Sequence, residues 1–417
     1  MTSVIDGARF ARAAATRQAI LDAATDLFCR CGYRFVSLRD IAADAGITHP
    51  ALLKHFAGKE QLLGEVVRRL DVSATAADHP GDQGLPFATA AHRQDGIPGF
   101  VPLFGALTGE ASASSHPLHD VMRERSARTC EKATDAFRAG LARGQVGDGR
   151  VAGDEAVRLT AAWNGLRMLT QYIPDRVDVS ATLEHHQRLI AHPAGWAPPG
   201  SDNAPGIVPP APPLPALADE PDRPDTGYRT GRERRAKIVD GAMALFAREG
   251  YGDTSLLDIA TRVGVSKSAL YHHFPSKDAL LHEVLRERDH RINDQSAGES
   301  PRSAVEAIRG FADAAAANEA DQPGLIELYA VISSEATPRG HDAHAYFEHR
   351  FTAALEGMTA TFRAAAEGGA LPAHRDPEHE ALWILALWDG LQYQWLYDRD
   401  SVVVADQLRQ HIADVLP

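Results

Sequence analysis

The sequence predicts an all-α protein built from two like halves, and three observations lead there. The first is internal repetition: Arg17 to Arg68 aligns without a gap on Arg235 to Arg286 at an offset of 218, with 25 of 52 positions identical. The second is apolar spacing at the helical period throughout, with no competing strand alternation. The third is a serine cap followed by a glycine turn and a second cap, which occurs once in each half.

In the first half, Ile20, Leu21, Ala24, Leu27 and Phe28 fall on one helical face and Gly32 stops the helix. The second half repeats this with Ile238, Val239, Ala242, Leu245, Phe246 and Gly250. Ser37-x-x-Asp40 and Ser255-x-x-Asp258 then open a second, short helix: the serine oxygen takes an orphan amide and the aspartate favours the positive helix end. Gly46 and Gly264 permit the tight turn that ends it. Thr48 or Ser266 caps a third short helix, and Lys59-Glu60 or Lys277-Asp278 opens a fourth with the apolar stripe Leu62, Leu63, Val66, Val67, Leu70. Two short helices crossing at a glycine turn and braced by a first and a fourth can present the third to a DNA major groove. The same geometry also serves as a plain packing unit, so charge has to discriminate.

The net charge is −13, which excludes a generally basic nucleic-acid coat. Residues 17–70 and 227–288 nevertheless carry +2 and +3 and leave −18 on the rest. Phosphates would therefore meet the basic ends of the chain and not its acidic body.

A weaker repeat runs from Phe100 to Gln187 at an offset of 225, pairing Glu110-Ala111 with Glu335-Ala336, His116 with His341, His119 with His344, Trp163 with Trp388 and Gly165-Leu166 with Gly390-Leu391. Residues 193–226 hold 11 of the 25 prolines and read as a solvated linker. The expected organisation is therefore 1–72 and 227–290 as helix-turn-helix domains, 73–192 and 291–417 as helical second domains, and 193–226 between them. With 44% apolar residues and no apolar run of membrane-spanning length, the chain is expected to be soluble and cytoplasmic. Cys29, Cys31 and Cys130 have neither a zinc nor a disulfide spacing and are expected to be reduced.

At this point the residues resemble a family. Ser266-Lys267-Ser268-Ala269-Leu270-Tyr271-His272-His273-Phe274-Pro275-Ser276-Lys277, after Asp258-Ile259-Ala260 and Gly264-Val265, looks like the DNA-binding signature of TetR-family transcriptional regulators. Thr48-His49-Pro50-Ala51-Leu52-Leu53-Lys54-His55-Phe56 and Lys59 are similar to a variant of it. The resemblance implies a one-component regulator, usually a repressor, that binds double-stranded operator DNA and releases it when a small molecule enters its helical core. It also implies that Ser37, Ser255, Tyr271, His273, Lys277, His55 and Lys59 contact phosphate, with Thr48 and Ser266 at the helix start. Lys267, Ser268, Ala269 and His272, matched by His49, Pro50, Ala51 and Lys54, would face base edges. For His55 and His273 the competing reading is a packing residue before the core phenylalanine. Arg232 and Arg235 belong to a basic arm that is longer in the second half, so the second half is expected to dominate DNA binding.

Family members of this kind pair as homodimers, whereas here both halves lie in one polypeptide. The expectation is an intramolecular pseudo-dimer of a monomeric chain, with the helices around Trp163–Gln187 packed on those around Trp388–Leu416. The second half is aromatic-rich, and Tyr329, Phe347, Phe351, Phe362, Trp388 and Trp395 are the candidate lining for an apolar or aromatic effector, although an aromatic stripe at helical spacing is more often core than pocket and a wide one can also be a helix–helix interface. His116-x-x-His119 and His341-x-x-His344 lack the further ligands of a metal site, so no metal or other cofactor is expected. No catalytic motif is present to support an enzyme. The alternatives are a constitutive architectural DNA binder, and a sensor in which only one copy is DNA-competent.

Overall fold

The computed structural model describes residues 2–75, 85–198, 209, 229–295 and 303–416. The greater part of the expected linker, residues 199–208 and 210–226, lies outside the described residues. Among the described residues the chain is all-α, with eighteen α-helices, two 3-10 turns and no strand. No described helix is long and apolar enough to cross a membrane. The chain divides into two compact units, 1–105 and 106–417.

The first unit begins with α1 (Thr2–Cys31), α2 (Leu38–Asp44), α3 (His49–Leu52), α4 (Lys59–Thr75) and α5 (Phe87–Asp95), and ends within α6 (Phe100–Glu110). Gly32, at φ 80°, ends α1. Ile20, Ala24, Phe28, Ile41, Leu52, Phe56, Leu62 and Val66 close a small core among the first four helices. Cys29 sits against Gly99, where an added Cβ would lie 2.3 Å from the Cys29 Cβ. Burial, then Asp26, pushes the Cys29 thiol up to about 11 and keeps it protonated.

The second unit runs from the end of α6 through α7 (His119–Ala142), α8 (Ala152–Tyr172), α9 (Val179–Leu189), α10 (Arg229–Glu249), α11 (Leu256–Val263), α12 (Lys267–His273), α13 (Lys277–Gln295), α14 (Ala304–Asp321), α15 (Pro323–Glu335), α16 (His344–Glu367), α17 (Pro377–Tyr397) and α18 (Val404–Val415). Its spine is the packing of α8 on α17, equivalent helices of the two repeats. They approach closely because each carries a glycine at the crossing. A Cβ on Gly165 would fall 1.9 Å from the Ala386 carbonyl oxygen, and one on Gly390 would fall 1.8 Å from that of Ala161. These four residues are themselves repeat equivalents, so the crossing has pseudo-two-fold symmetry.

The same symmetry carries outward. Tyr172, at the end of α8, donates its hydroxyl proton to the Ser333 carbonyl and stacks on His344 at 5.0 Å. Its equivalent Tyr397 donates to the Thr108 carbonyl at 2.7 Å and meets His119 at 5.6 Å. Each repeat thus inserts one tyrosine into the helical core of the other. Gln394 adds a further tie, donating to Thr160 Oγ1 at 2.9 Å. The packing expected between the Trp163–Gln187 and Trp388–Leu416 regions is present in this unit.

Candidate DNA-binding surfaces and sensor core

Both helix-turn-helix elements are built by the capping chemistry that the sequence spells out. Ser255 N–H donates to Asp258 Oδ2 at 2.9 Å, and Asp258 N–H donates back to Ser255 Oγ at 3.2 Å. Ser37 and Asp40 repeat the exchange at 2.8 and 3.2 Å. Hydrogen bonds from the serine hold Asp40 and Asp258 below the ordinary carboxylate range. Gly46 and Gly264 turn the chain at φ 67° and 74°. Ser266 Oγ then accepts Ala269 N–H at 3.2 Å to start α12, and Thr48 Oγ1 accepts Ala51 N–H at 3.3 Å to start α3.

On α12, Leu270 is buried and the next core side chain is Phe274, while Lys267, Ser268, Tyr271 and His272 face solvent and Ala269 is half-buried. Tyr271 is 43% exposed, which is unusual for so large a ring and leaves its face available. Lys267 Nζ stands 5.7 Å from that ring. His273 is half-buried, and burial followed by His272, Arg234 and Arg235 lowers its pKa, so it is neutral at pH 7. In the first unit, α3 has only four residues, so Lys54 and His55 lie beyond its end; Pro50 and Lys54 are exposed, and His49, Ala51 and His55 are half-buried.

Several of the candidate contact residues are also engaged within the protein. Lys277 Nζ donates to the Gly252 carbonyl at 3.4 Å and lies over the Tyr251 ring at 4.2 Å. Lys59 does the same at Arg34 and Tyr33, at 3.2 and 5.7 Å. The Arg235 guanidinium covers the Phe274 ring at 4.8 Å and bridges to Glu283. Although burial alone would raise it, Glu283 is drawn down to about 2 by Arg235 and Arg286. Arg232 is solvent-exposed on α10.

One connection was invisible in the sequence. Glu335, buried at the end of α15, accepts Tyr251 N–H at 2.7 Å and also Gly252 N–H, so it grips the turn between α10 and α11. The Tyr251 hydroxyl donates to Asp278, and its ring meets His341 edge-on at 5.2 Å. The carboxylate at Glu335 therefore ties the second helical core to the second DNA-binding element. The histidine pairs are turn-formers: His116 and His341 accept the N–H groups of Leu118 and Ala343 at 3.2 and 3.1 Å. His119 and His344 each place Nδ1 2.9 Å from a backbone carbonyl, Ala111 and Ala336 respectively. Among the described residues no group of three or more metal-ligating side chains converges.

Ring contacts group three of the six candidate effector residues. Tyr329, Phe347 and Phe351 join Tyr172 in a cluster with ring centroids 5.2 to 6.3 Å apart. Trp388 instead meets Phe311 edge-on at 4.2 Å, Trp395 lies under Arg399 at 4.6 Å, and Phe362 is buried on α16 outside the cluster's ring contacts. Polar groups border the cluster. Arg350 donates to Asp289 at 2.7 Å, Arg288 stands over Tyr329 at 4.2 Å, and burial raises Asp389 to about 7 against the pull of Arg350 and Arg288. None of these polar residues forms a motif along the chain, because they come from α13, α16 and α17.

The family profile described as bacterial regulatory proteins, tetR family, matches residues 20–66 and again 238–284. The HTH-type transcriptional regulator YuxN of Bacillus subtilis is 38% identical over 78 residues, 18% of this chain and 27% of that protein. The HTH-type transcriptional repressor KstR2 of Rhodococcus jostii is 41% identical over 66 residues, 16% of this chain and 31% of that protein. The chain thus spans less than a third of the length of these two relatives. A longer match, 28% identical over 191 residues, covers 41% of this chain and 84% of the HTH-type transcriptional regulator TtgR of Pseudomonas putida.

Proposed function

We propose that this chain, which carries a match to the TetR-family DNA-binding domain at residues 20–66 and again at 238–284, is a ligand-responsive repressor whose two unlike recognition helices read the two halves of one operator. The observation that carries this reading is the surface of α12, where Lys267, Ser268, Tyr271 and His272 are exposed around a buried Leu270. The repressor names of relatives such as KstR2 support the sign of regulation. The five-part division at 72, 192, 226 and 290 supplies two DNA-binding and two helical core domains, and the chain works in the cytoplasm as a single polypeptide. The aromatic cluster around Tyr329, Phe347 and Phe351 takes the effector, an apolar or aromatic molecule with a polar group for Asp389 or Arg350. Its occupation displaces α15 and, through Glu335, the Tyr251–Gly252 turn.

A second reading has one observation in its favour. The four-residue α3 against the seven-residue α12 suits a chain in which only the second copy grips DNA and the first is an internal partner. Footprinting on the DNA flanking the gene separates the readings. Two unequal protected half-sites, lost when a bound ligand is added, are expected. A single protected half-site, unchanged by substitution of Lys54 and Pro50, would select the one-competent-copy reading, and protection that no bound ligand relieves would select a constitutive architectural binder.

A further inference from the structure

A buried and asymmetric cluster of charges lies where the starts of α8 and α17 meet the end of α18. Arg150 donates to Glu155 Oε1 at 3.0 Å and to both oxygens of Asp414 at 2.9 and 3.0 Å. Arg375, the equivalent of Arg150, donates to Glu380 at 3.0 Å and lies 3.1 Å from Asp414 Oδ2. Arg158 meets Glu155 at 2.8 Å and donates to Gln407 and Gln410 on α18. Gly195 N–H completes the shell of Asp414 at 2.8 Å. All six charged side chains are between 1% and 10% exposed.

Repeat equivalence maps Arg150 to Arg375, Glu155 to Glu380 and His186 to His411, but it maps Asp414 to Leu189 and Arg158 to Trp383. One aspartate, supplied by the second copy alone, therefore serves an arginine from each copy. His186 from the first copy stacks on Trp383 of the second at 3.5 Å. Burial holds His186, His379 and His411 below the usual histidine range, so they add no charge at pH 7. With each carboxylate ionised the unlike pair is neutral, three arginines facing three carboxylates; burial raises the Glu380 carboxyl, and Arg375 at 3.0 Å opposes that push.

Pairing like with like destroys that balance. Two first copies would bury four arginines against two glutamates, with Leu189 standing twice where the aspartate is needed. Two second copies would bury four carboxylates against two arginines. Each like pair carries two uncompensated charges among side chains at most 10% exposed, beside a cavity of about 400 Å³ lined by Arg150, Glu155, Arg158 and Asp414, and one unpaired ion at such a depth is already unfavourable. We infer that the Arg150–Asp414–Arg375 cluster is a selectivity filter for assembly: the first copy accepts only a second copy as its partner, and the charges reject both like pairings. This is discrimination by repulsion as much as by attraction. The inference concerns pairing alone and stands independently of whether the chain binds DNA or an effector.

The test lets the two halves choose again. A site-specific protease sequence inserted after Gly206 is cut in the folded protein, so every residue is retained. The halves are unfolded in urea and refolded together by dilution, and the assemblies are weighed by native mass spectrometry. Assemblies with one of each half are expected, with like pairs below about a tenth of the statistical share, the discrimination of one tenfold step in affinity. The informative variant is Leu189→Asp with Asp414→Leu. It leaves the unlike pair neutral, with one aspartate still present, but it also neutralises both like pairs. Like pairs are expected to rise at least tenfold in it. Like pairs at the statistical share in the unaltered protein, or an equal like-pair fraction in the two proteins, would overturn the inference. Halves that stay unpaired in both would overturn it as well, because the cluster would then have no hold without the covalent link.

Discussion

Single side chains on α12 test the proposed contact of the second helix-turn-helix element with DNA. Lys267→Ala and Tyr271→Phe remove an exposed cation and an exposed phenol from α12 without touching the core residues Leu270 and Phe274. If Lys267 releases one counterion, Lys267→Ala lowers the log–log salt slope of operator binding by about 0.9, read in a titration from low to high salt. Lys59→Ala is expected to have the smaller effect, since α3 is the shorter helix; a larger loss from Lys59→Ala would reverse the ranking of the two copies. A different residue reports on acid. Burial, followed by His185 and His411, holds His379 down to about 2, whereas an unfolded chain takes up a proton on that ring below about 6.5. The folded state refuses that proton, so the stability associated with a neutral His379 is complete above about 6.5 and is lost as the pH falls toward the folded value. Measured against His379→Phe by urea unfolding at a series of pH values, the parent should lose about 1.4 kcal/mol per pH unit below that point. Parallel curves would show that the ring is protonated in the folded protein.

At the level of helices, what was legible in the sequence and what was not separate by range. The helix-turn-helix elements could be read because their signals are local: Ser255 and Asp258 are three residues apart, and Gly264 marks its own turn. The repeat showed which helices would pair. It did not show why they fit, because the glycine crossing opposes residues more than two hundred positions apart, as the Arg150–Asp414 bridge also does. The aromatic candidates on α15, α16 and α17 were read from residue type alone, and type does not say which face meets which neighbour; Trp388 and Trp395 consequently stand apart from the cluster of Tyr329, Phe347 and Phe351. The crossing gives a sharp test. Gly165→Ala or Gly390→Ala puts a methyl where a backbone carbonyl already sits, and overpacking of this kind destabilises by about 1–3 kcal/mol or more. Gly310→Ala, in the middle of α14 with nothing within 4 Å of the new methyl, should instead stabilise by up to about 1 kcal/mol. Chemical denaturation of the three variants should give opposite signs; a stabilised Gly390→Ala would mean that the helices pack further apart in solution.

For the molecule as a whole, the proposed response to an effector needs a link from the helical core to the DNA-binding element, and in the second repeat Glu335 joins α15 to the Tyr251–Gly252 turn. Glu335→Gln keeps the shape and one acceptor oxygen but weakens the grip on Tyr251 and Gly252. Effector affinity by calorimetry should change little. The factor by which effector weakens operator binding should fall several-fold, a loss of about 1 kcal/mol of coupling on the scale typical of such links. An unchanged factor would place the communication elsewhere.

The joining of α8 to α17 within a single polypeptide also changes how the protein behaves at low copy number. A repressor assembled from separate subunits loses its DNA-binding form on dilution, and its operator occupancy then rises with the square of its abundance. A chain that binds DNA as a single polypeptide, as proposed, has no such threshold: its occupancy should follow the first power of concentration down to a few molecules per cell. If each chain pairs only within itself, as proposed, a defective copy of the gene cannot poison the product of an intact one, and a damaged allele beside a sound one should be recessive; a dominant damaged allele would show pairing between chains.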